Sequence, residues 1–295
     1  MSKIYTIENE NLKLTVSSVG AEMISLVDKK KDIEYLKGLG GEFWQRCAPL
    51  LFPTNGRLWE NTTLVNGKKY EMGTHGLAKL YDFALESISG TEMTLAMKDE
   101  PDTYESAYPF NFKLSVTFSL ENNALKTFVK VKNTGDGNMP YSLGLHPAFK
   151  IPFTADEEFT DYYVEFSEES APNTWVLSPR YYIVHETAPY ALEDGKKIPL
   201  YHEMFDGDAI FLQDIPASAC LKSKKSDICI KFDYNGFPYV GLWHTPMTKA
   251  PFVCFEPWTG RPDYDGEITE LAEKEDMILL ASGEEKEHEF VITIQ

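Results

Sequence analysis

Apolar and polar residues alternate with a period of two along most of this chain. Ile4-Tyr-Thr-Ile, Leu12-Lys-Leu-Thr-Val and Met23-Ile-Ser-Leu-Val set the pattern, and each run is closed by Asn, Gly, Asp or Lys. Such alternation puts one row of side chains on a core and the other in water, which is how a β-strand reads. The pattern returns at residues 83–87, 93–97, 112–120, 125–131, 163–166, 210–212, 229–232, 239–243, 277–280 and 288–294. Helical spacing is scarce, with only 267–275 and 201–205 able to hold more than a turn. A parallel sheet would lack its crossover helices, so the expected fold is all-β and mostly antiparallel. No fixed-period repeat, low-complexity tract or long linker divides the chain, and residues 1–295 are expected to form a single domain. Residues 155–199, rich in Glu, Pro and Tyr, read as long loops.

Composition narrows the partners. Hydrophobic residues make up 43% and charged residues 25%, enough to build a sizeable core. The 28 basic against 46 acidic residues leave a net charge of −18, a field that repels nucleic-acid phosphates and anionic membranes. The first ten residues lack the apolar core of a secretion signal, and no stretch approaches the roughly 18 apolar residues of a membrane helix. A cytoplasmic protein that binds neither nucleic acid nor membrane is expected. Cys47, Cys220, Cys229 and Cys254 show no metal-type spacing, so reduced thiols are expected, although Cys220 and Cys229 flank a turn and can face each other.

The chemistry concentrates where apolar runs end in a polar residue. In Phe252-Val-Cys-Phe-Glu-Pro-Trp-Thr-Gly-Arg-Pro-Asp, a buried strand delivers Glu256 to a turn, with Pro257 expected to stop the strand. A carboxyl group held there loses hydration, gains in pKa and becomes a usable base, unless it simply pairs with Arg261. Tyr141-Ser-Leu-Gly-Leu-His-Pro-Ala-Phe repeats the arrangement around His146, an imidazole able to give and take a proton near neutrality. Arg57 follows Leu50-Leu-Phe-Pro-Thr-Asn-Gly, and His75 lies beside Gly76 in Thr74-His-Gly-Leu-Ala. Asp208 introduces the apolar run Ala209-Ile-Phe-Leu and can accept hydrogen bonds or cap a turn. Lys79 and Arg261 can add positive charge to the same cleft. His185, His202, His244 and His288 lie in polar or loop settings and carry no assigned chemistry. A GxSxG elbow, a phosphate-cradling loop and an HExxH pair are all missing, which removes common hydrolase, nucleotide and zinc-protease signatures. His75, His146 and Glu256 can in principle form a facial metal triad, but they come from separate strand ends, so no metal or cofactor is called for.

These segments carry a resemblance. Pro53-Thr-Asn-Gly-Arg57, Thr74-His-Gly-Leu-Ala78, Gly144-Leu-His-Pro-Ala-Phe149 and Cys254-Phe-Glu-Pro-Trp-Thr-Gly260, in that order and with Gly20-Ala-Glu near the start, are similar to the aldose 1-epimerase (galactose mutarotase) family and its LacX-like branch. The resemblance implies a large antiparallel β-sandwich, the galactose mutarotase-like supersandwich. It implies Glu256 as general base and His146 as general acid, acting from opposite sides of a pyranose. Arg57, His75 and Asp208 would bind sugar hydroxyls, with no cofactor. Trp258 or Phe149 would cover an apolar sugar face, and Lys79 with the arginines would admit a phosphorylated sugar. The expected partner is a small-molecule hexose or hexose phosphate, and the expected assembly a monomer or homodimer. A carbohydrate-binding sandwich without catalysis is the alternative, followed by a metal-dependent cupin-like enzyme.

Overall fold

The structure, a computed structural model, describes residues 2–98 and 105–295. Two large antiparallel sheets dominate it. The first has nine strands in the order Lys197–Pro199, Tyr162–Phe166, Ser218–Ser223, Cys229–Asp233, Glu285–Ile294, Ala124–Asn133, Phe112–Glu121, Glu92–Lys98 and Ala84–Ile88. The second runs Ile183–Pro189, Asn173–Leu177, Ile210–Gln213, Tyr239–Trp243, Phe252–Trp258, Gly144–Leu145 and Leu50–Leu51, with Ala148–Lys150 also paired to Phe252–Trp258. A four-stranded sheet of Ile4–Glu8, Leu12–Ser17, Glu22–Asp28 and Ile33–Glu34 comes from the first alternating stretch.

The two large sheets pack face to face. Phe232 of the nine-stranded sheet stacks on Phe255 of the other, with ring centroids 4.2 Å apart and planes 18° from parallel, and Phe149 meets Phe232 at 5.0 Å. Phe149 is therefore a core side chain, away from any cleft. Along Phe252–Trp258, Val253 and Phe255 join this core, while Phe252, Cys254, Glu256 and Trp258 point to the opposite face. That second face is itself covered, because every residue of the strand is buried.

Two expectations about chain ends fail for local reasons. The strand carrying Glu256 does not stop at Pro257 but continues to Trp258, so the carboxyl group sits inside a central strand. Pro257 is tolerated because Phe255 and Thr259 donate to Pro147 and Leu143 on the neighbouring stretch, whose own strand is interrupted between Leu145 and Ala148. A missing N–H costs little where the partner strand is already broken. Residues 155–199 are not long loops: they form Tyr162–Phe166, Asn173–Leu177, Ile183–Pro189 and Lys197–Pro199. Two of these are edge strands, and Ile183–Pro189 buries only its first residue fully, so its polar sequence hides its pairing. The helical spacing at 267–275 yields only the 3-10 turn Leu271–Glu273, and 201–205 the turn His202–Phe205. All four cysteines are free thiols. Among the described residues no helix is long and apolar enough to cross a membrane.

Candidate active site

The outward face of the second sheet forms the floor of a cavity of about 320 Å³, lined among others by Glu256, His146, His75, Arg57, Asp208, Lys79 and Trp258. All seven residues singled out from sequence thus meet in one place, although they come from distant parts of the chain. The size falls within the roughly 300–1,000 Å³ of small-molecule sites.

Glu256 and His146 are neighbours across two strands. Gly144 pairs with Trp258 and Ala148 with Cys254, which brings residue 146 level with residue 256. His146 Nε2 lies 3.2 Å from Glu256 Oε2, and the side chains are 5% and 2% exposed. The two groups therefore touch on one wall instead of facing each other across the cavity. On the other flank Glu256 pairs with Gly241. A Cβ on Gly241 would lie 3.1 Å from the Phe211 ring and 3.2 Å from Glu256 Cβ, so glycine leaves the space in which that ring lies against the carboxylate-bearing strand.

Burial works against either charge standing alone. It pushes the Glu256 carboxyl well above its ordinary range, with the nearby Asp208 charge adding to the effect, and it lowers the His146 imidazole to about 3. Trp44 contributes to that burial, since its ring stacks on His146 with centroids 4.8 Å apart at 28°. Both shifts favour carboxylic acid beside neutral imidazole, which has the same proton count as carboxylate with imidazolium. His146 Nδ1, Glu256 Oε1 and Trp258 Nε1 are buried and have no partner among the described residues.

His75 is shaped by its turn. Its φ of 65° is left-handed, and its backbone N–H donates to the Gly56 carbonyl at 2.8 Å. Gly56 N–H in turn donates to His75 Nδ1 at 3.1 Å, which assigns the ring proton to Nε2. Burial, together with the neighbouring His146, Lys79 and Arg57, holds the ring well below its usual pKa, so it is a neutral donor. Gly76 is required beside it because φ is 69° and a Cβ would lie 2.3 Å from the Phe52 carbonyl oxygen.

Arg57 Nη1 pairs with Asp208 Oδ2 at 2.7 Å and also donates to the Tyr181 carbonyl at 3.1 Å. Asp208 takes a second bond at Oδ1 from Trp243 Nε1 at 3.0 Å, with its own backbone at φ 84°. Asp208 thus lines the cavity and is held there by two donors. The Lys79 ammonium donates to the Thr74 carbonyl and, among the described residues, has no carboxylate within ion-pair distance. Burial, with the Arg46 charge adding, lowers it to about 8. Arg46 is itself matched by the buried Glu22 at 3.0 Å.

Arg261 lies elsewhere: it binds Asp276 at 2.7 Å and the Tyr239 hydroxyl at 2.6 Å and does not line the cavity. It is therefore not the partner of Glu256. His244 and His288 are buried instead of lying in polar settings, with His244 bonded to His202 at 3.1 Å and His288 to the Tyr141 hydroxyl at 3.0 Å. Sequence reasoning missed Trp44, Arg46, Tyr181, Phe211 and Trp243, all of which line the cavity. An isolated Trp44 after Gly38, Gly40 and Gly41 carried no periodic signal. Phe211 and Trp243 read as ordinary strand residues.

Comparison with known proteins agrees with this architecture. LacX of Lactococcus lactis subsp. lactis, in plasmid and chromosomal forms, is 31% identical over 268 residues, covering 86% of this chain and 87% of that protein. A galactose mutarotase-like protein from Lactobacillus casei superposes with a TM-score of 0.93 at 32% identity, covering 99% of this chain and all of that one. A galactose 1-epimerase from Lactobacillus acidophilus shares the fold at 14% identity and a TM-score of 0.72, covering 100% of this chain and 98% of that one. A model of the aldose 1-epimerase family matches residues 3–293, and the chain belongs to that family.

Proposed function

We propose that this protein is an aldose 1-epimerase that interconverts the α and β anomers of a hexose or hexose phosphate by acid–base opening of the pyranose ring. The observation that carries the reading is the contact between His146 Nε2 and Glu256 Oε2 on the wall of a sugar-sized cavity. A hemiacetal presents two oxygens on one carbon, and its opening moves one proton off the first while another goes onto the second. An adjacent acid and base can serve both oxygens from one side.

In the forward step Glu256 takes the proton of the anomeric hydroxyl while the His146 imidazolium donates to the ring oxygen. The bond from the anomeric carbon to the ring oxygen breaks and an aldehyde forms. The enzyme is left as carboxylic acid and neutral imidazole, the state that burial favours, while the sugar is open. After rotation about the bond between C1 and C2, His146 takes back the hydroxyl proton, Glu256 returns the other, and the ring closes on either face. Acid and base groups so placed contribute about 10²–10⁴ each in rate, and retention of the open chain adds to this.

Arg57, Asp208 and the Nε2 proton of His75 supply donors and acceptors for ring hydroxyls. Trp258 and Trp44 offer aromatic walls for C–H faces. Lys79, without a carboxylate of its own among the described residues, supports acceptance of a phosphoryl group in a chain that is otherwise acidic. The test is anomer exchange on freshly dissolved α-glucose, α-galactose and their 6-phosphates, followed by polarimetry or NMR. Exchange well above the buffer rate is expected for at least one, and sugar binding with no exchange for any aldose sinks the proposal.

A further inference from the structure

We propose that Cys254, His146 and Glu256 form a binding site for a thiophilic divalent cation such as Zn²⁺, and that the cation shuts the sugar site when it binds. Cys254 has no part in the anomer chemistry above, yet it occupies the same side-chain row as Glu256, two residues away on a central strand. One donor atom from each of the three residues lies within 4.8 Å of the others, and all three residues are buried. Exposed acidic groups often cluster without meaning. A buried thiol, imidazole and carboxyl group of this spacing is a different case, because these are the donor types that zinc selects.

One donor pair already has the spacing of a single ion's ligands, and the others, within 4.8 Å, have to draw in around it. Zinc bonds of about 2.0–2.3 Å place the donors of a tetrahedral site about 3.4 Å apart. His146 Nε2 and Glu256 Oε2 already stand at 3.2 Å. Among the described residues His146 Nδ1 and Glu256 Oε1 have no partner, so both side chains have capacity to spare. Three protein ligands leave a fourth position open to water or a sugar hydroxyl. Binding displaces the Cys254 thiol proton and the proton shared by the pair, and two negative ligands then balance the ion. Arg46 and Arg57 are already matched by Glu22 and Asp208, which leaves Lys79 beside His146 and Lys37 beside Cys254 as the positive charges the ion has to outweigh. His146 and Glu256 line the cavity while Cys254 is fully buried and does not, so the ion enters past the first two.

The blocking half of the proposal rests on the acid–base reading, since a metal on both groups removes the acid and the base together. The binding half does not. Titration of the whole protein with Co²⁺ as a spectroscopic stand-in is expected to give one equivalent with a sulfur-to-cobalt charge-transfer band. Cys254→Ala is expected to lose the band while exchanging anomers at the parent rate, and to need at least about tenfold more Zn²⁺ for half-inhibition. The Cys220→Ser/Cys229→Ser protein is expected to keep the band, which separates this site from the hairpin thiols. Absence of the band in the parent, or its survival in Cys254→Ala, overturns the site. Equal zinc inhibition of parent and Cys254→Ala overturns the blockade. A band without any anomer exchange in the parent upholds the site and counts instead against the catalytic reading.

Discussion

Asp263 holds the backbone on both sides of Leu58, with its N–H donating to the Arg57 carbonyl at 2.9 Å and its carboxylate accepting the Trp59 N–H at 2.8 Å. Lys274 closes the arrangement from beneath as a buried ion pair, with side chains 7% and 2% exposed for Lys274 and Asp263. Pro262 packs where a Cβ on Gly56 would be. The segment that follows the Glu256 strand therefore fixes the turn that presents Arg57. Asp263→Ala leaves a buried ammonium unpaired and is expected to lower stability by about 3–5 kcal/mol in denaturant unfolding. Asp263→Ala/Lys274→Met removes that penalty and is expected to recover most of the stability. Its KM should remain raised, because the Arg57 turn has lost its anchor. Recovery of the parent KM would show that the clamp has no bearing on the site.

Glu256→Gln keeps the shape and removes the proposed base. The turnover for anomer exchange is expected to fall by about 10²–10⁴, with sugar affinity in calorimetry changed only modestly. A variant that still exchanges anomers at a tenth of the parent rate or better would transfer the base role to another group.

The pH profile follows from the single shared proton. Above the raised pKa of Glu256 the pair loses that proton and has no acid, so activity falls as pH rises through it. Near 3 the pair gains a second proton and has no base. A broad plateau between these limits is expected. Asp208 is one cause of the raised Glu256 value, so Asp208→Asn should move the alkaline limb to lower pH while raising KM. Trp44→Ala should hydrate His146, raise its pKa toward the ordinary value and move the acid limb up. Limbs that stay fixed in both variants would disprove this account of the pair.

Gly76→Ala is a test of the His75 turn. A methyl group there meets the Phe52 carbonyl and a left-handed φ together. A loss of about 1–3 kcal/mol in unfolding free energy is expected from strain of this kind. Sugar affinity should fall as well, since the His75 ring is oriented by the same turn. A neutral result in both measurements would mean that the turn relaxes freely.

Most strands were legible because one face of each large sheet meets the core, and burial of one side prints a period of two. Glu256 and His146 stood out because each interrupts an apolar run. The errors share a cause. Strands such as Ile183–Pro189 lie on an edge where neither face is fully buried, so polar residues conceal the pairing. Pro257 looked like a terminator because sequence does not reveal that its neighbour strand has its own gap at His146 and Pro147. Trp44 and Arg46 reach the cavity from a connection whose path depends on distant anchors, including the buried Glu22 that receives the Cys47 and Ala48 N–H groups. Nothing local in the sequence records such anchoring.

Glu256 lies within a central strand and His146 in the gap of the strand beside it, with Trp258, Phe211 and Trp243 on strands as well, whereas Trp44, Arg46, Arg57, His75, Lys79, Tyr181 and Asp208 lie outside regular strands. Most of the cavity's polar rim is therefore carried by connections, while its floor is carried by the sheet. Rewriting those connections would remodel the rim of the cavity while Glu256, held within its sheet, keeps its place.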